Sequence, residues 1–314
     1  RCHFFQKSPR DEWMLRFRPH GNNRLNIQFG KSATIFGNWV PQHEFHDDPF
    51  LLAPLPYSQI TGIHPRVPGA ISQAAIAGRV SVYGNSIFRA PKENWASTIW
   101  GPSYSTGLSL IGTEGKFDYA FEVKNSGLSS LPDQWDPSLG DFDDPTFTAR
   151  LGYRSDAAWA LGLSFSRGPY LEPEGEKFLP AGMDRGDLPQ TVIGLDARWA
   201  HRDLIISGEI IASEYETLEV GDLRSLSYYL QARWKAAPGL WLAARFGQTF
   251  NNSADGSGGT SLEWAPDHWR AELSAGYRFT PDLLVKGQYS YTQATGDLAG
   301  FANHLAGLGV VWKF

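Results

Sequence analysis

The stretch Trp269–Phe279 reads Trp-Arg-Ala-Glu-Leu-Ser-Ala-Gly-Tyr-Arg-Phe, and its period decides the fold class. Trp269, Ala271, Leu273, Ala275, Tyr277 and Phe279 fall on one side of an extended chain, with Arg270, Glu272, Ser274, Gly276 and Arg278 on the other. Successive side chains of a strand point to opposite faces, so this unbroken period of two predicts a β-strand with one apolar and one polar face. The run also exceeds the about 5–6 residues of an ordinary strand in a soluble protein. A turn at Thr280-Pro281-Asp282 follows. The next strand sets Val285, Gly287, Tyr289 and Tyr291 against Lys286, Gln288, Ser290 and Thr292.

Working upstream, the same pattern recurs. Leu226, Tyr228, Leu230, Ala232 and Trp234 alternate with Ser227, Tyr229, Gln231, Arg233 and Lys235. Ile193, Leu195, Ala197 and Trp199 alternate with Gly194, Asp196 and Arg198. Phe147–Tyr153, Trp159–Phe165 and Phe117–Val123 repeat it. A soluble β-sandwich also alternates, so two further features are needed to separate the architectures. Strands of about ten residues match a tilted membrane crossing. Short turns (Thr113–Lys116, Ser155-Asp156, Ala200–Arg202, Ala236–Gly239, Thr280–Asp282) interleave with long loops (Gly127–Asp144, Pro169–Leu188, Glu216–Leu223, Asn252–Asp267, Thr295–Asn303). Short turns on one side and long loops on the other are the pattern of an outer-membrane barrel.

The final residues LAGLGVVWKF place Ala306, Leu308, Val310, Trp312 and Phe314 on one face. This resembles the C-terminal assembly signal of outer-membrane barrels, which implies that Phe314 takes part in insertion. The predicted fold is therefore all-β: a single antiparallel transmembrane β-barrel over residues 1–314. Eleven strands are secure from about Tyr104 onward. Strands at Trp13–Arg18, Arg24–Lys31 and Ala77–Gly84 bring the total to about 14, and a further pair in Arg1–Phe5 and Ile87–Trp100 would give 16. Bacterial barrels favour even numbers, and at this size the lumen has room for water.

Composition agrees with this reading in detail. Mean hydropathy is −0.32, and no apolar run approaches the about 18 residues of a membrane helix. Yet 12 Trp, 12 Tyr and 19 Phe stand beside 33 Gly, which suits a barrel with aromatic girdles. A net charge of −5 argues against a nucleic-acid surface. The single cysteine, Cys2, rules out an intrachain disulfide and a four-cysteine zinc site. The opening RCHFFQKSPRDEW has no apolar core of a signal peptide, so a mature or trimmed chain is expected.

Gly30-Lys31-Ser32-Ala33-Thr34-Ile35-Phe36-Gly37-Asn38-Trp39 resembles the GKF-x-x-x-FG strand end of porins of the phosphate-selective type and their relatives. The match is ten residues long. The resemblance implies a loop after this strand that folds into the barrel and narrows the pore. Here Val40 to about Gln73 is Pro-rich and without period, and contains DDPFLLAPLPY at Asp47–Tyr57. Arg66 is the only Arg or Lys between Lys31 and Arg79, so phosphate selectivity does not carry over. A structureless run of this length in a compact fold is often functional. Its apolar residues, Phe50, Leu51, Leu52, Leu55 and Tyr57, need burial. Segment 40–73 is thus expected as an inward constriction or plug loop with Asp47, Asp48, Phe50 and Tyr57 at its centre. Packing over the external rim is the alternative.

Chemistry-bearing clusters are few. His43, His46, Asp47 and Asp48 offer imidazole and carboxylate groups, but their spacing matches no metalloenzyme motif, so no metal site or other cofactor is expected. Asp141, Asp143 and Asp144 read as a solvated acidic external loop, and Glu172, Glu174 and Glu176 read the same way. The polar strand faces carry more information. Lys124, Arg150, Arg198, Arg233, Arg245, Arg270 and Lys286 are expected to line the lumen with Glu272, Asp118, Glu122, Asp196 and Glu209, since each charge would cost about 2–4 kcal/mol in mid-membrane lipid. They either set solute selectivity or bridge neighbouring strands.

The function these features imply is a passive outer-membrane porin for small hydrophilic solutes or ions. Membrane lipid and lipopolysaccharide would lie outside it, in a homo-oligomer or a larger outer-membrane complex. A barrel sheathing a cytochrome or an exported chain is the alternative. A rim hydrolase is a third class, although no nucleophile motif stands out.

Overall fold

The computed structural model describes residues 12–44, 46–66, 96–130, 142–156, 158–256, 259–295 and 302–312. Thirteen strands form one antiparallel sheet in which each bonds to its neighbours in chain order. They are β1 (Trp13–Phe17), β2 (Asn26–Ser32), β3 (Ser105–Glu114), β4 (Phe117–Lys124), β5 (Thr146–Arg154), β6 (Trp159–Pro169), β7 (Pro189–His201), β8 (Leu204–Tyr215), β9 (Leu223–Ala237), β10 (Leu240–Asn251), β13 (Asp267–Thr280), β14 (Leu283–Thr295) and β15 (Ala302–Trp312). The two short strands β11 (Ser253–Asp255) and β12 (Ser261–Glu263) pair with each other in the connection from β10 to β13. A one-turn helix α1 (Leu55–Ser58) lies between β2 and β3.

Register follows from the alternation. On the β13–β14 pair Leu273 faces Tyr289 while Glu272 faces Ser290, so apolar stands opposite apolar and polar opposite polar. Burial is inverted relative to a soluble protein. Leu273, Leu308 and Trp312 are 63%, 76% and 72% exposed, whereas Glu272 and Lys286 are 3% and 1% exposed. Water would not tolerate an apolar belt of this extent on a monomer, and a lipid bilayer covers it at no such cost.

Two-residue turns such as Arg202-Asp203 and Pro238-Gly239 close one end of the sheet. Arg202 and Gly239 both have positive φ, which matches the twist of tight hairpin turns. At the other end the connections run long. There a second apolar cluster forms under the loops, with Tyr170, Leu171, Leu188, Tyr215, Leu223 and Trp264 buried together. This cluster is built from loop residues and strand tips and has no counterpart in the alternation pattern.

The eleven strands expected from about Tyr104 onward are all present, and β1 and β2 precede them. The strands read at Ala77–Gly84 and Arg1–Phe5 lie outside the described residues, as does Phe314. Of Ile87–Trp100 only 96–100 are described, and they form no strand beyond the single bridge Ile60–Ser97. Their backbone is used instead to tie loops together, with Thr61 N donating to Ala96 O and Trp100 N to Leu128 O. One further correction concerns Glu172, read as part of a solvated acidic loop. It is buried, and Arg66 Nε donates to its Oε2 at 2.7 Å. A carboxylate taken out of water needs such a partner, and burial still holds Glu172 above the usual carboxylate range despite Arg66.

Among the described residues β1 and β15 each pair with one neighbour only. The curl of the sheet is recorded by what it surrounds. A single segment, Ala33–Ser58, reaches the inner faces of β4, β6, β8, β10, β13 and β14. Only a sheet wound around that segment brings so many strands against it.

Candidate functional site

The site is the interior of the barrel and the segment lying in it. The wall is left at Ala33, seven residues before the expected start at Val40, because β4 captures the backbone there. Lys124 Nζ donates to Ser32 O at 2.7 Å and Ala33 O at 2.9 Å, and Thr34 Oγ1 donates to Glu122 Oε1 at 2.6 Å. The chain then turns at Gly37, whose φ of +71° is a left-handed conformation that glycine adopts freely. A Cβ at this position would overlap Tyr57 Oη and the Glu209 carboxylate. Phe36 fits against Gly194 of β7, a position with no side chain to obstruct the ring.

Glu209 on β8 is the anchor of the upper part. Its Oε1 accepts from Asn38 N at 3.0 Å, Trp39 N at 2.6 Å and Tyr229 Oη at 2.8 Å, and its Oε2 accepts from Tyr57 Oη at 2.5 Å. Four donors on one buried carboxylate make its removal from water tolerable. Burial first, and then the Glu209 charge, hold the Tyr57 phenol well above its ordinary range, so it stays a donor.

Deeper in, the segment's backbone carbonyls and amides meet side chains of β10, β13 and β14. Lys286 Nζ donates to Asp48 O at 2.8 Å and Phe50 O at 3.0 Å, and Ser274 Oγ donates to Pro49 O at 2.7 Å. Leu51 N and Leu52 N both donate to Gln288 Oε1, and Arg245 Nη2 donates to Leu52 O. Arg270 donates to Ala53 O and, at 3.2 Å, to Ser58 Oγ. Buried irregular backbone must find partners, and the polar half of every strand supplies them. Phe50 packs with Trp241 and Ala243, and the Arg245 guanidinium lies 4.1 Å over its ring.

The basic residues expected to line the lumen take these positions. Lys124, Arg150, Arg245 and Arg270 are held by Glu122, Asp196, Glu272 and Glu272 at 3.2, 2.8, 2.5 and 3.2 Å. Lys286 is engaged with the inserted backbone. Arg233 lies 5.3 Å over the Trp241 ring, and Arg198 is exposed near the short-turn end. Asp47 is exposed beside His46 at 3.4 Å, while Asp48 is buried and accepts from Trp39 Nε1 at 2.8 Å and Phe50 N at 2.9 Å. Burial pushes Asp48 above the usual aspartate range against the pull of Arg245. His43 does not join Asp48; its ring nitrogens bond Val40 O and Tyr104 Oη, so HEFHDD forms no single cluster.

Sequence reasoning overlooked Ser164, Ser274 and Tyr229 as anchors, and Thr34–Trp39 as lumen rather than wall. All three side chains sit on polar strand faces, so their direction was legible. Their partners were not.

Neither a protein-family model nor a curated protein matches the chain. Solved structures of similar fold exist. A loop-deletion mutant of OmpT, an outer membrane protein of Vibrio cholerae, aligns at TM-score 0.58 and 13% identity, over 96% of this chain and 78% of that one. The outer membrane channel DcaP of Acinetobacter baumannii aligns at TM-score 0.56 and 10% identity, covering 96% and 79%. An anion-selective porin from Comamonas acidovorans aligns at TM-score 0.55 and 10% identity, covering 95% and 75%. The chain has the fold of the outer-membrane β-barrel porins.

Proposed function

We propose that the protein is an outer-membrane channel through which small hydrophilic solutes or ions diffuse, with Thr34–Ser58 as its constriction. The observation that carries this reading is the fixed placement of that segment. Glu209, Lys286, Gln288 and Arg270 hold it from different sides of the barrel, so it narrows the water path at a set position. The polar inner wall, the apolar outer belt and the fold shared with porins support the same reading. The sheath alternative needs a lumen open to a partner chain, and here the barrel's own residues occupy the middle of it.

The test is single-channel recording of the purified protein in a planar bilayer. Discrete conductance steps are expected, and removal of Asp48–Tyr57 should enlarge them and weaken discrimination between solutes. Absence of steps in both proteins would overturn the channel reading. Equal steps in both would overturn the constriction.

A further inference from the structure

The cations of the lumen fall into two groups. Around the inserted segment, Lys124, Arg150, Arg245 and Arg270 all have a carboxylate at 3.2 Å or less. Towards the short-turn end stand Arg198, Arg233, Lys235 and Arg278, and among the described residues none of these four is ion-paired. All four lie on the inward register. Arg198 follows buried Asp196 by two residues, Arg233 faces Ile205, Lys235 faces buried Trp241, and Arg278 follows buried Ser274 at a spacing of four. The neighbouring outward positions carry exposed Trp199, Trp234 and Tyr277.

Three of these four cations, Arg233, Lys235 and Arg278, line a cavity of about 460 Å³ together with Arg202, Asp203 and Trp241 among others. Its walls are partly preset. Arg233 is stacked over Trp241, and Arg278 Nη1 donates to Pro281 O at 3.1 Å, its other guanidinium nitrogens having no hydrogen-bond partner among the described residues. Arg202, Arg233, Lys235 and Arg278 set four cations against the single carboxylate of Asp203 on one small vestibule, a net repulsion that a bound anion relieves. Low-dielectric walls focus such a field and concentrate counter-ions. The planar guanidinium fork matches carboxylate and phosphate oxygens in pairs. Opposite the cluster, Asp47 and Asp48 at the tip of the inserted segment act electrostatically on Arg233 and limit the field from above.

We infer that this vestibule is a binding subsite for small soluble polyanions, a di- or tricarboxylate or phosphate, on the short-turn side of the constriction. The inference deepens the channel reading by naming a solute class, and it rests on that reading for the solute's route. Binding itself is independent of conduction, so the two fail separately.

The test is isothermal titration calorimetry of the detergent-solubilised full chain with sodium citrate and, separately, sodium phosphate. Binding of at least one is expected, and the response to the two probes tells carboxylate from phosphate. Arg233→Gln/Lys235→Gln/Arg278→Gln should weaken it about tenfold or more, as charge-assisted bonds are lost. Asp47→Asn should tighten it, and Arg224→Gln, outside the lumen, should leave it unchanged. Lys235→Gln alone, on a barrel verified by heat-modifiable mobility, keeps the test decisive if the triple variant does not fold. No binding by the parent protein, or equal binding by parent and the folded variants, would overturn the subsite. Citrate binding without conductance would leave the subsite standing and remove the channel. Conductance without binding would do the reverse.

Discussion

Tyr57, on a one-turn helix inside the barrel, donates its phenolic hydrogen to Glu209 Oε2 on β8 at 2.5 Å, and the two residues are 152 positions apart. This bond joins the inserted segment to the wall at the point where Gly37, Asn38 and Trp39 also converge. A buried carboxylate with four donors is costly to disturb. Loss of one partner strands the others at about 1–3 kcal/mol each.

Glu209→Gln and Tyr57→Phe should therefore each loosen the segment without unfolding the barrel. Single-channel conductance should rise in both, and the double variant should add little to either, because both remove the same bond. Additive effects would show that Tyr57 and Glu209 act through separate partners.

Gly37→Ala should mimic these variants by a different route. The new methyl meets Tyr57 Oη and Glu209, and the positive φ adds strain of about 1–3 kcal/mol. Limited proteolysis should then cut within residues 40–66 while the folded band on unheated gels persists. A segment as resistant as in the parent protein would count against Gly37 as the turning point.

Neutralising Arg150, Arg198 and Arg245 together should shift ion preference towards cations. Two of these substitutions take a cation from Asp196 and from Glu272, and the third removes a charge with no ion-pair partner among the described residues. Reversal potential under a salt gradient reads the change, since charged rings tune selectivity in such pores. A shift towards anions, or none, would refute the assignment.

On the outer face, Leu273→Arg should cost about 2–4 kcal/mol in folding into lipid vesicles, since the side chain would enter the apolar belt. Denaturant titration of vesicle-folded protein measures this. A near-neutral result would mean that this face of β13 is not against lipid.

How much of this was legible in advance can be argued residue by residue. Trp269–Phe279 alone determined that Leu273 and Glu272 face opposite ways, because an extended chain has a period of two whatever surrounds it. Repeated over the chain, the period determined the strands and their connections, and the contrast of apolar and polar faces determined that the outside meets lipid. That Glu209 would receive Tyr57, or Lys286 the carbonyls of Asp48 and Phe50, was not determined locally. Each contact joins residues well over a hundred positions apart, and the inserted segment has no period to set its path. Only the winding of the sheet decided which inward side chains bond to the segment and which, like Arg198, Arg233, Lys235 and Arg278, do not. Alternation fixes a side chain's direction, whereas its partner depends on curvature and register summed over every strand between them.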